Sequence, residues 1–140
     1  VCRGGKKSGF AGYYFHVEPQ SAAPGGHLLS AGIYMPDRDV LESIREEILD
    51  NGAAFEASVK RARGFRLYQG NKLKKFPAGF TAEGAYSDYL KLKDFYLEKF
   101  VDEDYMLQPD LARKAVADFK KTFDFNERLN RAAAYAFENR

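Results

Sequence analysis

Two groups of side chains in this 140-residue chain have types that are typical of a binding site. The first group, Tyr14, His16 and Tyr34, has rings that combine an apolar surface with a polar end. The second group, Arg63, Arg66 and Lys74, is basic, and arginine guanidinium groups bind oxyanions through paired N–H donors. We therefore predict that these six residues contribute to a site for a small anionic or aromatic ligand.

The basic residues belong to a stretch with a strong local charge bias. Residues 60–75 contain seven lysines and arginines and no acidic residue, and Phe65, Tyr68 and Phe76 are interleaved among or follow them. Basic grooves with stacking aromatic rings bind nucleic acids, so a nucleic-acid-binding module is one alternative function. The net charge of only +2 argues against it. A solvated positive surface is the simpler alternative, since most charge runs are solvated.

An enzyme is the third alternative. His16 and Glu18 are two residues apart and share one face of a predicted strand, and with His27 they form a conceivable set of metal ligands. His27 follows a flexible Gly-Gly turn, and the spacing matches no established zinc pattern. The glycine-rich residues 4–9 lack the spacing of a phosphate-binding loop. We therefore predict no metal site, and the sequence indicates no particular cofactor or catalytic residue.

A central β-hairpin is predicted to position the aromatic group. Residues 13–17 are aromatic or β-branched apart from His16, and alternation places Tyr13, Phe15 and Val17 on the core face. Residues 24–26 have turn chemistry, and a second strand is predicted over residues 27–35. Small side chains at Ser30 and Gly32 are expected to leave room for Tyr14 and His16.

The remaining pattern predicts helices packed on a mostly antiparallel sheet, an α+β fold in a single domain over residues 1–140. Apolar residues at helical spacing predict helices over residues 37–51, 53–62, 109–121 and 126–138, with a short one within 81–91. Alternating residues predict strands over 65–68 and 94–101. Acidic residues of the first helix are the expected internal counter-charge for the basic stretch.

Composition limits the class of protein. The chain is 45% hydrophobic and 30% charged, as is usual for globular domains. No apolar run reaches the roughly 20 residues of a membrane span, so no membrane association is predicted. The single cysteine, Cys2, excludes an internal disulfide, and we expect a cytoplasmic location.

Four sequence blocks resemble an uncharacterised bacterial and fungal family, domain-of-unknown-function family 2461. The blocks are residues 12–19, residues 32–36 with the helix that contains residues 44–48, residues 73–80, and residues 90–96. The resemblance implies an α+β domain and supplies no activity, substrate or catalytic residue.

Members of this family usually carry an additional N-terminal portion. We therefore expect this chain to be the C-terminal part of a longer protein. The missing segment or a second copy in a homo-oligomer is expected to cover exposed apolar surface. In the enzyme alternative, the same missing segment would complete the site.

Overall fold

The fold is α+β, as predicted. The computed structural model describes residues 2, 4–5, 8–18, 26–80 and 84–140. In chain order its elements are β1 (Gly12–His16), β2 (His27–Ile33), α1 (Arg38–Arg61), β3 (Arg66–Leu67), a 3-10 helix (Ser87–Lys91), β4 (Phe95–Val101), α2 (Glu103–Met106), α3 (Leu111–Lys120) and α4 (Phe123–Glu138).

The four described strands form one antiparallel sheet in the order β1-β2-β4-β3. The predicted hairpin, β1 and β2, therefore occupies one side of the sheet, and β3 forms the opposite edge. One row of paired residues crosses all four strands: Tyr14, Ser30, Glu98 and Arg66. Their side chains lie on the same face of the sheet, because directly paired residues share a face.

Helices cover the other face. Leu29 and Ala31 of β2 and Leu97 of β4 are fully buried there, and Tyr13 of β1 packs edge-on against Phe119 of α3 at 5.8 Å between ring centroids. The opposite, helix-free face exposes the side chains of Tyr14 (45%) and Phe100 (55%).

The hairpin prediction is confirmed for Tyr13 and Phe15, which are partly buried, but wrong for Val17. Val17 is 53% exposed because β1 ends at His16 and the alternation ends with it. The second strand ends at Ile33, two residues earlier than predicted, because Met35 has a positive φ of 50° that no strand accommodates. Of the predicted turn, residues 24 and 25 lie outside the described residues.

The two helices predicted over residues 37–51 and 53–62 correspond to the two segments of α1, which meet at a kink. Asn51 has non-helical φ and ψ, and the helix continues beyond it with a kink. Gly52, directly after the kink, also marks a close contact: a Cβ atom at Gly52 would lie 2.4 Å from the ring of Tyr86. Tyr14 lies directly opposite the small Ser30, whereas His16 lies opposite Leu28, and a Cβ atom at Gly32 would lie 2.4 Å from the Cα of Tyr96 in the adjacent strand.

The last helix starts at Phe123, and not at Asn126 as predicted. The expected interruption at residues 123–125 is its first turn, in which Phe125 is fully buried and Phe123 contacts the ring of Tyr13 at 5.6 Å. Among the described residues, no helix combines the length and apolarity needed to cross a membrane.

Candidate ligand-binding site

The structure distributes the six predicted site residues over several parts of the surface. Tyr14 and Arg66 share the cross-strand row on the helix-free face but occupy its two ends. Three strand spacings separate them, which corresponds to roughly 14 Å. Tyr14 and Arg66 line different cavities.

Tyr14 and Tyr34 line one pocket of about 440 Å³, together with Phe10, Ile33 and Met35. These two tyrosines therefore border the same cavity, and their role in ligand binding stays a prediction. The polar rim of the pocket includes Asp37, whose carboxylate accepts a 2.9 Å hydrogen bond from Arg140. None of the predicted basic residues lines this pocket.

His16 does not line the pocket that contains Tyr14 and Tyr34. Its Nε2 atom is 2.5 Å from Oε2 of Glu18, and its side chain is 59% exposed. His27 is buried and makes a separate pair, 2.5 Å from Nε2 to Oε1 of Glu103. Within residues 2, 4–5, 8–18, 26–80 and 84–140, no group of three or more histidine, cysteine or acidic side chains is arranged to hold a metal ion.

The basic stretch does not converge on one point. Three of its members form ion pairs with nearby acids: Lys60 with Glu56, Arg61 with Asp124, and Lys72 with Asp88. Arg63 is exposed in the turn after α1, and Lys74 is exposed in the loop after β3. Neither lines the cavity that contains Arg66.

The acidic residues that were expected to balance the charge of the basic stretch, those of residues 37–50 in the first helix, have other partners. Acidic residues of the first helix pair with other arginines, Glu42 with Arg38 and Glu47 with Arg128. The acidic neighbour of Arg66 is Glu98, its partner across the β3–β4 pair. Burial raises the pKa of the Glu98 carboxyl, and the charge of Arg66 opposes that rise.

Arg66 lines a cavity of about 610 Å³ at the edge of the sheet. We call this cavity the edge cleft; the lining residues that matter below are Val59, Arg66, Tyr68, Gln69, Tyr89 and Glu98. Its volume falls in the range of small-molecule sites, and it combines apolar walls with a few polar groups, as such sites do. Arg66 makes no ion pair within 4.0 Å to any residue in the described part of the chain.

The tyrosines of the edge cleft are held by packing. Tyr68 stacks on Tyr96 of β4 with ring centroids 4.7 Å apart and an angle of 14° between the rings. Tyr89 packs against the buried ring of Phe55, and its hydroxyl donates a 3.2 Å hydrogen bond to Glu56. Burial first, and the Glu56 carboxylate second, raise the pKa of Tyr89 to about 12. The Tyr89 hydroxyl therefore stays protonated at neutral pH and remains a hydrogen-bond donor.

Asp94 connects the two pockets. Its buried carboxylate accepts a 2.7 Å hydrogen bond from the backbone N–H of Met35 and a 2.8 Å hydrogen bond from the side-chain amide of Asn71. The first contact holds the positive-φ turn beside Tyr34, and the second holds the chain that leaves the edge cleft after Gly70. Tyr34 also contacts Tyr96 edge-on at 6.1 Å, so three tyrosine rings form a continuous row with Tyr68.

Comparison with known proteins identifies a family without an activity. The family model described as "Conserved hypothetical protein (DUF2461)" matches residues 1–127. The chain belongs to this family. No protein of curated function and no solved structure matches this DUF2461 chain significantly. Its function is therefore unknown, and its site must be judged on the geometry of its own residues.

Sequence reasoning identified Arg66 in this DUF2461 domain but missed Tyr68, Tyr89 and Glu98 as cleft residues. The alternation in β4 does place Tyr96 and Glu98 on one face. What the sequence did not provide was the pairing of β3 with β4, which brings Arg66 beside Glu98 and stacks Tyr68 on Tyr96.

Proposed function

We propose that this domain is a binding domain for a small ligand that has both an anionic group and an aromatic or apolar part. The edge cleft is the proposed site. The observation that carries the proposal is the presence of Arg66, without an ion pair to the described residues, in a 610 Å³ cavity with two tyrosines. We propose no particular reaction or cofactor. We also propose the cytoplasmic location that the composition led us to expect.

The cleft residues have distinct roles in this proposal. Arg66 binds the anionic group through paired N–H donors, a geometry that suits carboxylates, sulfates and phosphates. Tyr68, Tyr89 and Val59 contact the apolar part and exclude water from it. Glu98 competes for Arg66 and so favours ligands whose anion is a better acceptor than this partly buried carboxylate.

Sulfate is expected to stabilise the wild-type protein in a thermal-shift assay, relative to chloride at equal ionic strength. A specific site stabilises by RT ln(1 + [L]/Kd), so the shift should saturate at low millimolar sulfate, a concentration at which general salting-out effects are small. Arg66→Ala should remove most of the shift. Arg63→Ala is the matched control, because Arg63 is an exposed arginine three residues away that does not line the cleft.

Two results would reject the site. Equal responses to sulfate and chloride would show that the cleft binds no anion. Equal losses in Arg63→Ala and Arg66→Ala would show that the effect comes from the diffuse positive surface. Binding of a single-stranded oligonucleotide that weakens steeply with salt would instead favour the nucleic-acid alternative.

Glu98→Gln is expected to raise the sulfate affinity on the order of fivefold, because it removes a like charge whose repulsion of the anion is worth about 1 kcal/mol. Burial raises the pKa of Glu98 above its ordinary value of 4.5, so as the pH is lowered from 7 towards 5 this carboxyl gains protons earlier than an ordinary glutamate does. Sulfate remains a dianion over this range. Wild-type affinity should therefore increase as the pH falls, and the Glu98→Gln affinity should change less. Parallel pH profiles for the two proteins would show that Glu98 does not face the bound anion.

A further inference from the structure

The outer edge of β3 presents backbone hydrogen-bonding groups to the edge cleft. The backbone N–H of Tyr68 donates to the carbonyl of Tyr96 at 2.9 Å, so these residues form a hydrogen-bonded pair. Hydrogen-bonded and non-hydrogen-bonded pairs alternate along antiparallel strands. The neighbouring pair, Leu67 and Leu97, is therefore of the second kind. The N–H and C=O groups of Leu67 consequently point away from β4, on the side of the sheet edge that has no strand among the described residues.

The extended part of this edge is longer than β3 itself. Beyond Tyr68, the chain bonds to the segment that precedes β4: Leu73 donates to the carbonyl of Lys91, the last residue of the 3-10 helix, at 2.8 Å, and Lys93 donates to that of Asn71 at 3.1 Å. The same alternation points the N–H of the exposed Gln69 outward. Residues 66–69 thus offer a short, open pairing edge, and the 610 Å³ cavity lies beside it to receive side chains.

The charge around this edge determines which partner fits. Residues 60–75 contain seven basic residues and no acidic one. Arg63, Arg66, Lys74 and Lys75 make no ion pair to a residue in the described ranges, and all four are exposed. An extended segment that pairs with this edge therefore gains from acidic side chains on the same face as Arg66, and a basic segment is repelled.

We propose that an acidic, extended peptide segment of a partner protein binds the edge cleft by adding a strand to β3. This inference rests on the proposed function, because a carboxylate of the peptide supplies the anionic group at Arg66. Main-chain hydrogen bonds to Leu67 give the segment its orientation, and alternate side chains enter the cavity beside Tyr68 and Tyr89. An aromatic or aliphatic residue between two acidic residues matches the two walls of the cleft.

The test uses a fluorescein-labelled heptapeptide with glutamate at every odd position and valine or tyrosine at every even position. Two derivatives of it carry N-methyl groups, one on the odd amides and one on the even amides, with sequence and charge unchanged. A strand added to one edge uses alternate amides only. In fluorescence anisotropy with the wild-type protein, one derivative should lose at least tenfold in affinity, and the other should bind within about threefold of the parent peptide.

Gln69→Pro provides a second test in the protein. Proline is accepted on an edge strand where the N–H faces outward, and its ring obstructs an approaching strand. The variant should keep its thermal transition and lose peptide binding. Equal binding of both N-methylated derivatives would overturn the strand-addition inference, whether or not Gln69→Pro folds.

The sulfate experiment separates this inference from the proposed function. A normal sulfate response with peptides that bind regardless of N-methylation would leave the anion site and reject strand addition. Register-dependent peptide binding without a sulfate response would reject a small-anion site and leave strand addition.

Discussion

Replacing Phe55 with alanine is expected to lower the free energy of unfolding by about 3–5 kcal/mol, the usual cost of removing a buried phenylalanine. Phe55 is 1% exposed, and its ring contacts those of Tyr89, Phe95 and Phe125 at 5.1–6.1 Å between centroids. It therefore joins helix α1 to the sheet, to α4 and to a wall of the edge cleft. Denaturant unfolding measures the loss.

Phe100→Ala is the matched control for Phe55→Ala. Phe100 is 55% exposed on the helix-free face, so its truncation should change the free energy of unfolding by about 0.5 kcal/mol or less. Similar losses in the two variants would mean that the sheet does not bury the face described above.

Gly32→Ala is expected to destabilise the protein by about 3–5 kcal/mol, because strain and overpacking combine at this position. Gly32 has a φ of 143°, which side-chain-bearing residues rarely adopt. A Cβ atom there would also lie 2.2 Å from the carbonyl oxygen of Phe95 and 2.4 Å from the Cα of Tyr96. The alanine must push β2 away from β4, the pair at the centre of the sheet.

Gly79→Ala separates the two causes. Gly79 also has a positive φ, 86°, but a Cβ atom at that position would meet no heavy atom within 4 Å. This control should lose only the conformational part, about 1–2 kcal/mol. Denaturant midpoints for Gly32→Ala and Gly79→Ala that coincide would show that the close β2–β4 contact at Gly32 is absent in solution.

Much of the fold could be predicted from local patterns. Alternation placed Tyr13 and Phe15 on the covered face, and the turn chemistry predicted the hairpin. The errors have a common cause, which is that distant contacts override local signals. The Asn51-Gly52 pattern indicated the break in α1, but it gave no sign that the ring of Tyr86, 34 residues later, occupies the place of a side chain at Gly52.

The site was less predictable than the fold. The sequence identified Arg66 as a ligand-binding residue and grouped it with Arg63 and Lys74, its neighbours along the chain. A strand alternates its side chains and a turn reverses direction, so adjacent basic residues diverge, whereas strand pairing brings Arg66 to Glu98, 32 positions away. The cleft walls from Val59 and Tyr89 also depend on long-range packing that a local pattern does not encode.

Aromatic side chains are exposed on the surface of the sheet that no helix covers. Tyr14, Tyr34 and Phe100 are 45–68% exposed on or beside the helix-free face. The expectation that a second copy or a further segment of the protein covers such surface stays a prediction. Sedimentation at several protein concentrations measures self-association directly.

The anion site at Arg66 is tested most directly by a sulfate titration of the wild-type protein, in which ¹H–¹⁵N NMR spectra follow the backbone amide resonances. We expect saturable chemical-shift changes that share one dissociation constant. They should be concentrated around the edge cleft, at Arg66, Leu67, Tyr68, Gln69 and Glu98. Arg66→Ala should abolish those shifts and leave the rest of the spectrum in place. Small shifts that increase linearly with sulfate and spread over the exposed lysines, unchanged by Arg66→Ala, would contradict the existence of the site.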